Sequence, residues 1–192
     1  KEDAKAMLMT EDMGSLTEEE AEKALKIIDS IPTLKSITIS NGITSIRPRL
    51  FYAFNASNLT ITFPNTISVK SETVFDVAKI GTITFESGTK TIYEGICKDS
   101  DGAIDNIILP DGIKTIETHS IFTSSGTMTT LIIPSSVTTI ESNAIYGRNL
   151  TTIVNKTGKA FDWNGILTGT SGEAFETGTV NDGSSIITIT NK

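Results

Sequence analysis

A period of 22 to 24 residues runs through this chain, and no other feature limits its fold as strongly. With Ser40, Pro64, Glu86, Pro110, Pro134 and Lys156 as anchors, the spacings are 24, 22, 24, 24 and 22 residues. At position −3 from each anchor stand Ile37, Ile61, Ile83, Ile107, Leu131 and Ile153. At −1 stand Ile39, Phe63, Phe85, Leu109 and Ile133, and only Asn155 breaks the series. Two apolar residues separated by one are the mark of a short strand with one buried face. Position +3 carries Ile43, Ile67, Ile113 and Val137, and +6 carries Ile46, Ile92, Ile116 and Ile140; Thr89, Lys70 and the last unit depart from this. At +11 come Phe51, Phe75, Cys97, Ile121 and Ile145.

Breakers sit where each strand must stop: Asn41-Gly42, Ser87-Gly88, Pro110-Asp111-Gly112 and Thr157-Gly158. Proline at the anchor has no amide to donate and so ends ladder pairing there. About five inward side chains per unit do not offset the ordering of about 24 backbones. The units must therefore stack, each burying its flat faces against its neighbours.

Chemistry-bearing residues are scarce. Cys97 and His119 are the only cysteine and the only histidine among 192 residues, which rules out an intrachain disulfide, a paired-thiolate metal site and most His-assisted nucleophiles. Asp99-Ser100-Asp101-Gly102 matches the first half of a calcium loop, but no glutamate stands in the twelfth position. Its place between two repeats favours an ordinary polar turn. Ser124-Ser125-Gly126 and Thr170-Ser171-Gly172 are loop sequences with no base beside them in the chain. Cys97 falls on a core position, where an inert thiol is expected. A non-enzymatic chain with no cofactor and no metal is the expectation.

Charge narrows the partners. The net charge is −7, and residues 1–31, with nine acids and four bases, hold −5 of it. No basic stripe remains to neutralise phosphates, so nucleic-acid binding is not expected. No apolar run approaches the roughly 18 residues of a membrane span, and the chain opens on Lys1-Glu2-Asp3, so a soluble segment without membrane insertion is expected. A palette rich in Thr, Ser, Asn and Gly suits an exported, strand-rich protein.

The repeats resemble the BspA-type leucine-rich repeats of bacterial cell-surface proteins. Met128 to Asn149 (MTTLIIPSSVTTIESNAIYGRN) carries the resemblance best, and Ile104 to Phe122 (IDNIILPDGIKTIETHSIF) repeats it. It covers about residues 34–155. The family's Ala-Phe pair survives only at Ala53-Phe54, and Arg47-Pro48 interrupts the first repeat. The resemblance implies secretion or display at a bacterial surface, with adhesion to host extracellular matrix or to neighbouring cells. Asn58-Leu59-Thr60 and three similar triplets match the glycosylation sequon, which matters only in a eukaryotic secretory route.

The expected fold is thus a β-rich leucine-rich-repeat solenoid of about six coils with an N-terminal α-helical cap. Residues 1–33 supply that cap: Thr17-Glu18-Glu19-Glu20 reads as a capping box, Ala21, Ala24, Leu25 and Ile28 as the apolar stripe, and Pro32 as the stop. Residues 34–155 form the solenoid. Residues 156–192 form a second cap, in which the repeat decays into Phe161, Trp163, Ile166, Leu167 and Phe175 and ends on the strand-like Ile186-Ile187-Thr188-Ile189-Thr190.

If −3 and −1 point inward, −4 and −2 line up outward from coil to coil. Those positions supply the candidate binding residues Thr38, Thr60, Thr62, Thr82, Thr84, Asn106, Thr130 and Thr152, with Ile108, Ile132 and Val154 making the second half partly apolar. Threonine also has a high intrinsic strand propensity, which alone accounts for such rows. A longer Thr array would order water as in ice-binding solenoids, but this one fails after the third repeat. Six short strands make a patch of roughly 25 by 17 Å, about 400–450 Å². A stable protein interface takes about 800 Å² from each partner, so turns or multivalency must add to it. An unidentified protein or glycan remains the expected partner. A structural spacer and a carbohydrate module centred on Phe161 and Trp163 are the alternatives.

Overall fold

A computed structural model of the chain describes residues 34–68, 73–100, 102–167, 180–181, 185–186 and 188–191. The helical cap expected over residues 1–33 lies outside these. The described residues form a parallel β-solenoid in which each coil contributes to up to three faces.

The main face runs through positions −4 to −2 of each coil, and its longer strands start earlier. It comprises a four-stranded sheet of β1 (Ser36–Thr38), β2 (Asn55–Phe63), β4 (Lys79–Phe85) and β7 (Ala103–Ile108), followed by a three-stranded sheet of β10 (Thr130–Ile133), β13 (Thr152–Asn155) and β16 (Thr188–Asn191). The second face holds β5 (Thr91–Ile92), β8 (Thr115–Ile116) and β11 (Thr139–Ile140). The third holds β3 (Phe75–Asp76), β6 (Cys97–Ser100), β9 (Ile121–Thr123) and β12 (Ile145–Gly147). Every ladder on these faces is parallel. A separate antiparallel pair joins β14 (Val180–Asn181) to β15 (Ser185–Ile186).

Period-two alternation decides which side of each short strand is buried. Ile37, Ile61, Ile83, Ile107, Leu131 and Ile153 all lie in the core, as do Ile39, Phe63, Phe85, Leu109 and Ile133 at −1. Early coils fill the interior with rings: Phe51 stacks on Phe75 at 5.2 Å and Phe63 on Phe85 at 5.7 Å. Later coils fill it with Ile92, Ile96, Ile113, Ile116, Ile121 and Ile145.

The polar exceptions to the apolar columns are satisfied locally. Thr89, buried at +3, donates its hydroxyl to the Glu86 carbonyl at 2.8 Å. Asn155, buried at −1, accepts from the Thr157 amide and hydroxyl at 3.1 and 2.7 Å and donates to the Lys159 carbonyl at 2.9 Å. Each replaces an apolar contact with bonds to its own turn, so neither leaves a costly unpaired group.

Anchors behave as their chemistry requires. Glu86 and Lys156 donate their amides to the Phe63 and Ile133 carbonyls of the preceding coil, at 2.9 and 3.0 Å. Proline at the other internal anchors has no such amide. The turn that follows needs a left-handed residue, and Gly42 and Gly112 both take φ of 102° there. The Thr66 and Ser136 hydroxyls of the next coil then accept from those two glycine amides, at 3.2 and 2.9 Å.

The coil after Lys156 keeps register despite its irregular sequence. The Asn143 amide donates to the Gly165 carbonyl at 2.7 Å, continuing the chain of bonds Gly95 to His119 to Asn143 at the same corner. Leu167 bridges in parallel to Ile145, and β16 pairs Thr188 with Thr152 and Ile189 with Ile153. The segment read as a terminal cap thus also carries a coil and a strand of the solenoid.

Candidate functional site

All eight residues singled out on the main face stand where alternation puts them, at outward positions of parallel strands. Ser36, Thr60, Thr82 and Asn106 form one row, and Thr38, Thr62, Thr84 and Ile108 the other. In the second sheet Thr130, Thr152 and Thr188 align, beside Ile132, Val154 and Thr190. Thr38, Asn106 and Thr130 are exposed, while Thr60, Thr62, Thr82, Thr84 and Thr152 are half-buried between neighbouring rows. No charged residue occupies these outward positions. With β16 added, the strands span roughly 29 Å, and the patch grows only to about 500 Å².

The eight residues do not lie on one unbroken ladder. Between β7 and β10 the described residues form no pairing on this face, although β8 to β11 and β9 to β12 continue unbroken behind it. Asp105 occupies the gap, and its Oδ1 accepts from the Thr127 amide at 3.0 Å and the Thr127 hydroxyl at 3.1 Å. Ile108 and Ile132 flank this break and are 50% and 45% exposed, so the face changes from hydroxyl to aliphatic where its backbone ladder stops.

Other candidates resolve into structural roles. Asp99 is buried in β6, and its Oδ1 accepts from both the amide and the hydroxyl of Ser124 one coil on. That carboxylate is a tie between coils, and no cluster of potential metal ligands occurs among the described residues. Cys97 is a buried free thiol, and burial pushes its pKa far above the ordinary thiol range, so the nucleophilic thiolate is suppressed. His119 sits at a left-handed corner with φ 47°, its Nδ1 3.8 Å from Glu94 Oε1. Trp163 lies in the core on the one-turn helix α1 (Trp163–Ile166) and meets Phe161 edge to face at 5.6 Å. Its ring face is consumed by packing, leaving sugar stacking at this end to the half-buried Phe161.

Two features escape sequence reasoning. The first is a clamp at +7: Glu117 Oε2 accepts the Glu94 amide at 3.2 Å, and Glu141 Oε2 the Thr118 amide at 3.0 Å, each reaching back one coil. The signal was present as Ile-Glu in both TIETHSIF and TIESNAIY, but solvated glutamate reads the same way. The second is a corner of the first two coils where the Arg49 Nε meets Asp76 Oδ2 at 2.7 Å and the guanidinium lies 5.7 Å from the Tyr52 ring centroid. Nothing in the linear spacing joins these residues.

Among known families, six copies of the BspA type leucine rich repeat region match residues 27–151. Neither a curated protein nor a solved structure gives a match. Among the described residues no helix is long and apolar enough to cross a membrane.

Proposed function

Because this chain belongs to the BspA-type leucine-rich-repeat family, we propose that it is a non-catalytic contact module, secreted or displayed at a bacterial surface, that adheres through its main face. Repeats of this type form protein-interaction domains, generally without catalysis, and the family is typically associated with bacterial surfaces. The observation that carries the reading is the outward row of Thr38, Thr60, Thr62, Thr82, Thr84, Asn106, Thr130 and Thr152, set on two parallel sheets and free of charge. Such a face recognises a partner by hydroxyl hydrogen bonds and flat contact, without long-range steering. Its area falls short of the 800 Å² or so typical of one side of a stable interface, so single contacts are weak and display in many copies supplies the strength.

Extracellular-matrix proteins are the partners this reading favours. The test is a solid-phase binding series against immobilised matrix proteins, comparing the chain with Thr62→Lys/Thr84→Lys. This lysine pair on the main face should reduce multivalent binding at least tenfold while the circular dichroism spectrum stays unchanged. Equal binding by the two proteins would remove the main face as the contact surface.

A further inference from the structure

We infer that the corner formed by Arg49, Tyr52 and Val77 is a second binding site, separate from the main face, and that it takes an acidic protein segment carrying an apolar side chain.

Three independent observations converge there. The first is exposure of residues that folding would otherwise bury. Only four large hydrophobic residues are exposed among the described residues, and two of them, Tyr52 at 47% and Val77 at 46%, belong to this corner. The two segments are joined by the bond from the Ala53 amide to the Asp76 carbonyl at 3.0 Å, so the side chains belong to one surface.

The second is a prepared cation. Asp76 is largely buried and holds Arg49 by Nε, while the Arg49 side chain remains 68% exposed. Fixing Nε and laying the guanidinium over Tyr52 removes rotamer freedom in advance and leaves the other guanidinium nitrogens accessible to a carboxylate. Arg49 is one of only three arginines in a chain of net charge −7, so this cation runs against the charge of the whole. Arginine and tyrosine together are the residue types that dominate interface energetics.

The third is the backbone. Position +13 lies within a strand in later coils, where Asp99, Thr123 and Gly147 are buried. In the first two coils it is Ala53 and Val77, which turn outward with φ of 52° and 55°. A β-branched residue in the left-handed region is unfavourable, and strain of this kind collects at binding sites. Asparagine or glycine would relax this turn; valine instead presents an apolar side chain to solvent.

The partner follows from the surface. A neutral apolar ligand leaves Arg49 unused, and a simple anion leaves Tyr52 and Val77 unused. A peptide with a glutamate or aspartate beside an aromatic or aliphatic residue engages all three.

The test uses the full chain against an array of twelve-residue peptides, each with one aromatic or aliphatic residue flanked by glutamates, beside the same peptides with glutamine for glutamate. Binding should fall at least tenfold on the glutamine array, and at least tenfold for Tyr52→Ala and Arg49→Gln on the glutamate array. Val77→Asn, which suits the left-handed turn and preserves the fold, should weaken binding about threefold or more. Thr62→Lys/Thr84→Lys should leave peptide binding unchanged, so failure here is distinguishable from failure of the main face. The proposal is overturned by equal binding to both arrays, by undiminished binding of Arg49→Gln and Val77→Asn, or by capture of heparin with no peptide bound.

Discussion

The first two coils and the three that follow stack on the same apolar columns, yet their third corners differ. The fourth and fifth coils carry a glutamate at +7 that clamps the preceding coil, through Glu117 and Glu141, and all three later coils run straight through +13 as buried strand. The first coil has Arg47 at +7, and at +13 the first two coils turn outward through left-handed Ala53 and Val77. Both halves bury Ile, Leu or Phe at −3 and −1 without exception through Ile133. A shared interior therefore tolerates two kinds of corner, because the inward columns depend only on period-two alternation while the corners face water. Every corner ties its coil to a neighbour; the regular ones bury +13 in a strand, while the irregular ones turn it outward, where it can meet a partner.

The comparison can be broken most severely at Gly126. A Cβ there would stand 1.8 Å from the Ile104 carbonyl oxygen, in the junction between the two main sheets. Gly126→Ala should cost about 3–5 kcal/mol in urea unfolding, as a backbone clash that no side chain can relieve. Gly42→Ala in the first coil meets nothing within 4 Å and should cost only about 1 kcal/mol through its left-handed φ. A similar loss in both variants would show that the junction yields.

A smaller effect sharpens the role of the clamps. Removing the carboxylate in Glu141→Ala leaves the Thr118 amide without its acceptor from the next coil, and stability should drop by about 1 kcal/mol. Faster hydrogen exchange at Thr118 than at main-face amides would localise that loss. Unchanged exchange would mean the clamp contributes nothing to the regular half.

The smallest effect has the opposite sign. Ser120 is fully buried at +10, and its hydroxyl has no hydrogen-bond partner, whereas the preceding and following coils carry Ile96 and Ala144 at that place. Ser120→Ala should stabilise the protein by about 1 kcal/mol, a rise of roughly 2–4 °C in Tm for a chain of this size. A lower Tm would mean that the hydroxyl is satisfied.

How far the sequence could be read follows from which interactions are periodic. The columns at −3 and −1 and the outward Thr rows were legible because a one-residue slip would turn every side chain over, so pattern and burial are locked together. The turn glycines were legible because a left-handed φ excludes most other residues. The coil after Lys156 was hidden: Trp163-Asn164-Gly165-Ile166 makes a helical turn where earlier coils have an open one, and the long stretch before Thr188 displaces the next strand from the expected spacing. On the third face Phe75 pairs with Asp99, two places beyond Cys97, the residue at the equivalent position. A shift of two preserves which side is buried, so the pattern gives no sign of it.

By itself the sequence determined the stack, its parallel columns and the uncharged outward face, since each rests on residues a fixed interval apart. Only the tertiary structure decided where the main ladder breaks, that Asp99 serves Ser124, that Trp163 is core, and that Arg49, Tyr52 and Val77 share a corner. These depend on contacts between coils at positions that do not recur, and a periodic signal carries no information about residues that occur once.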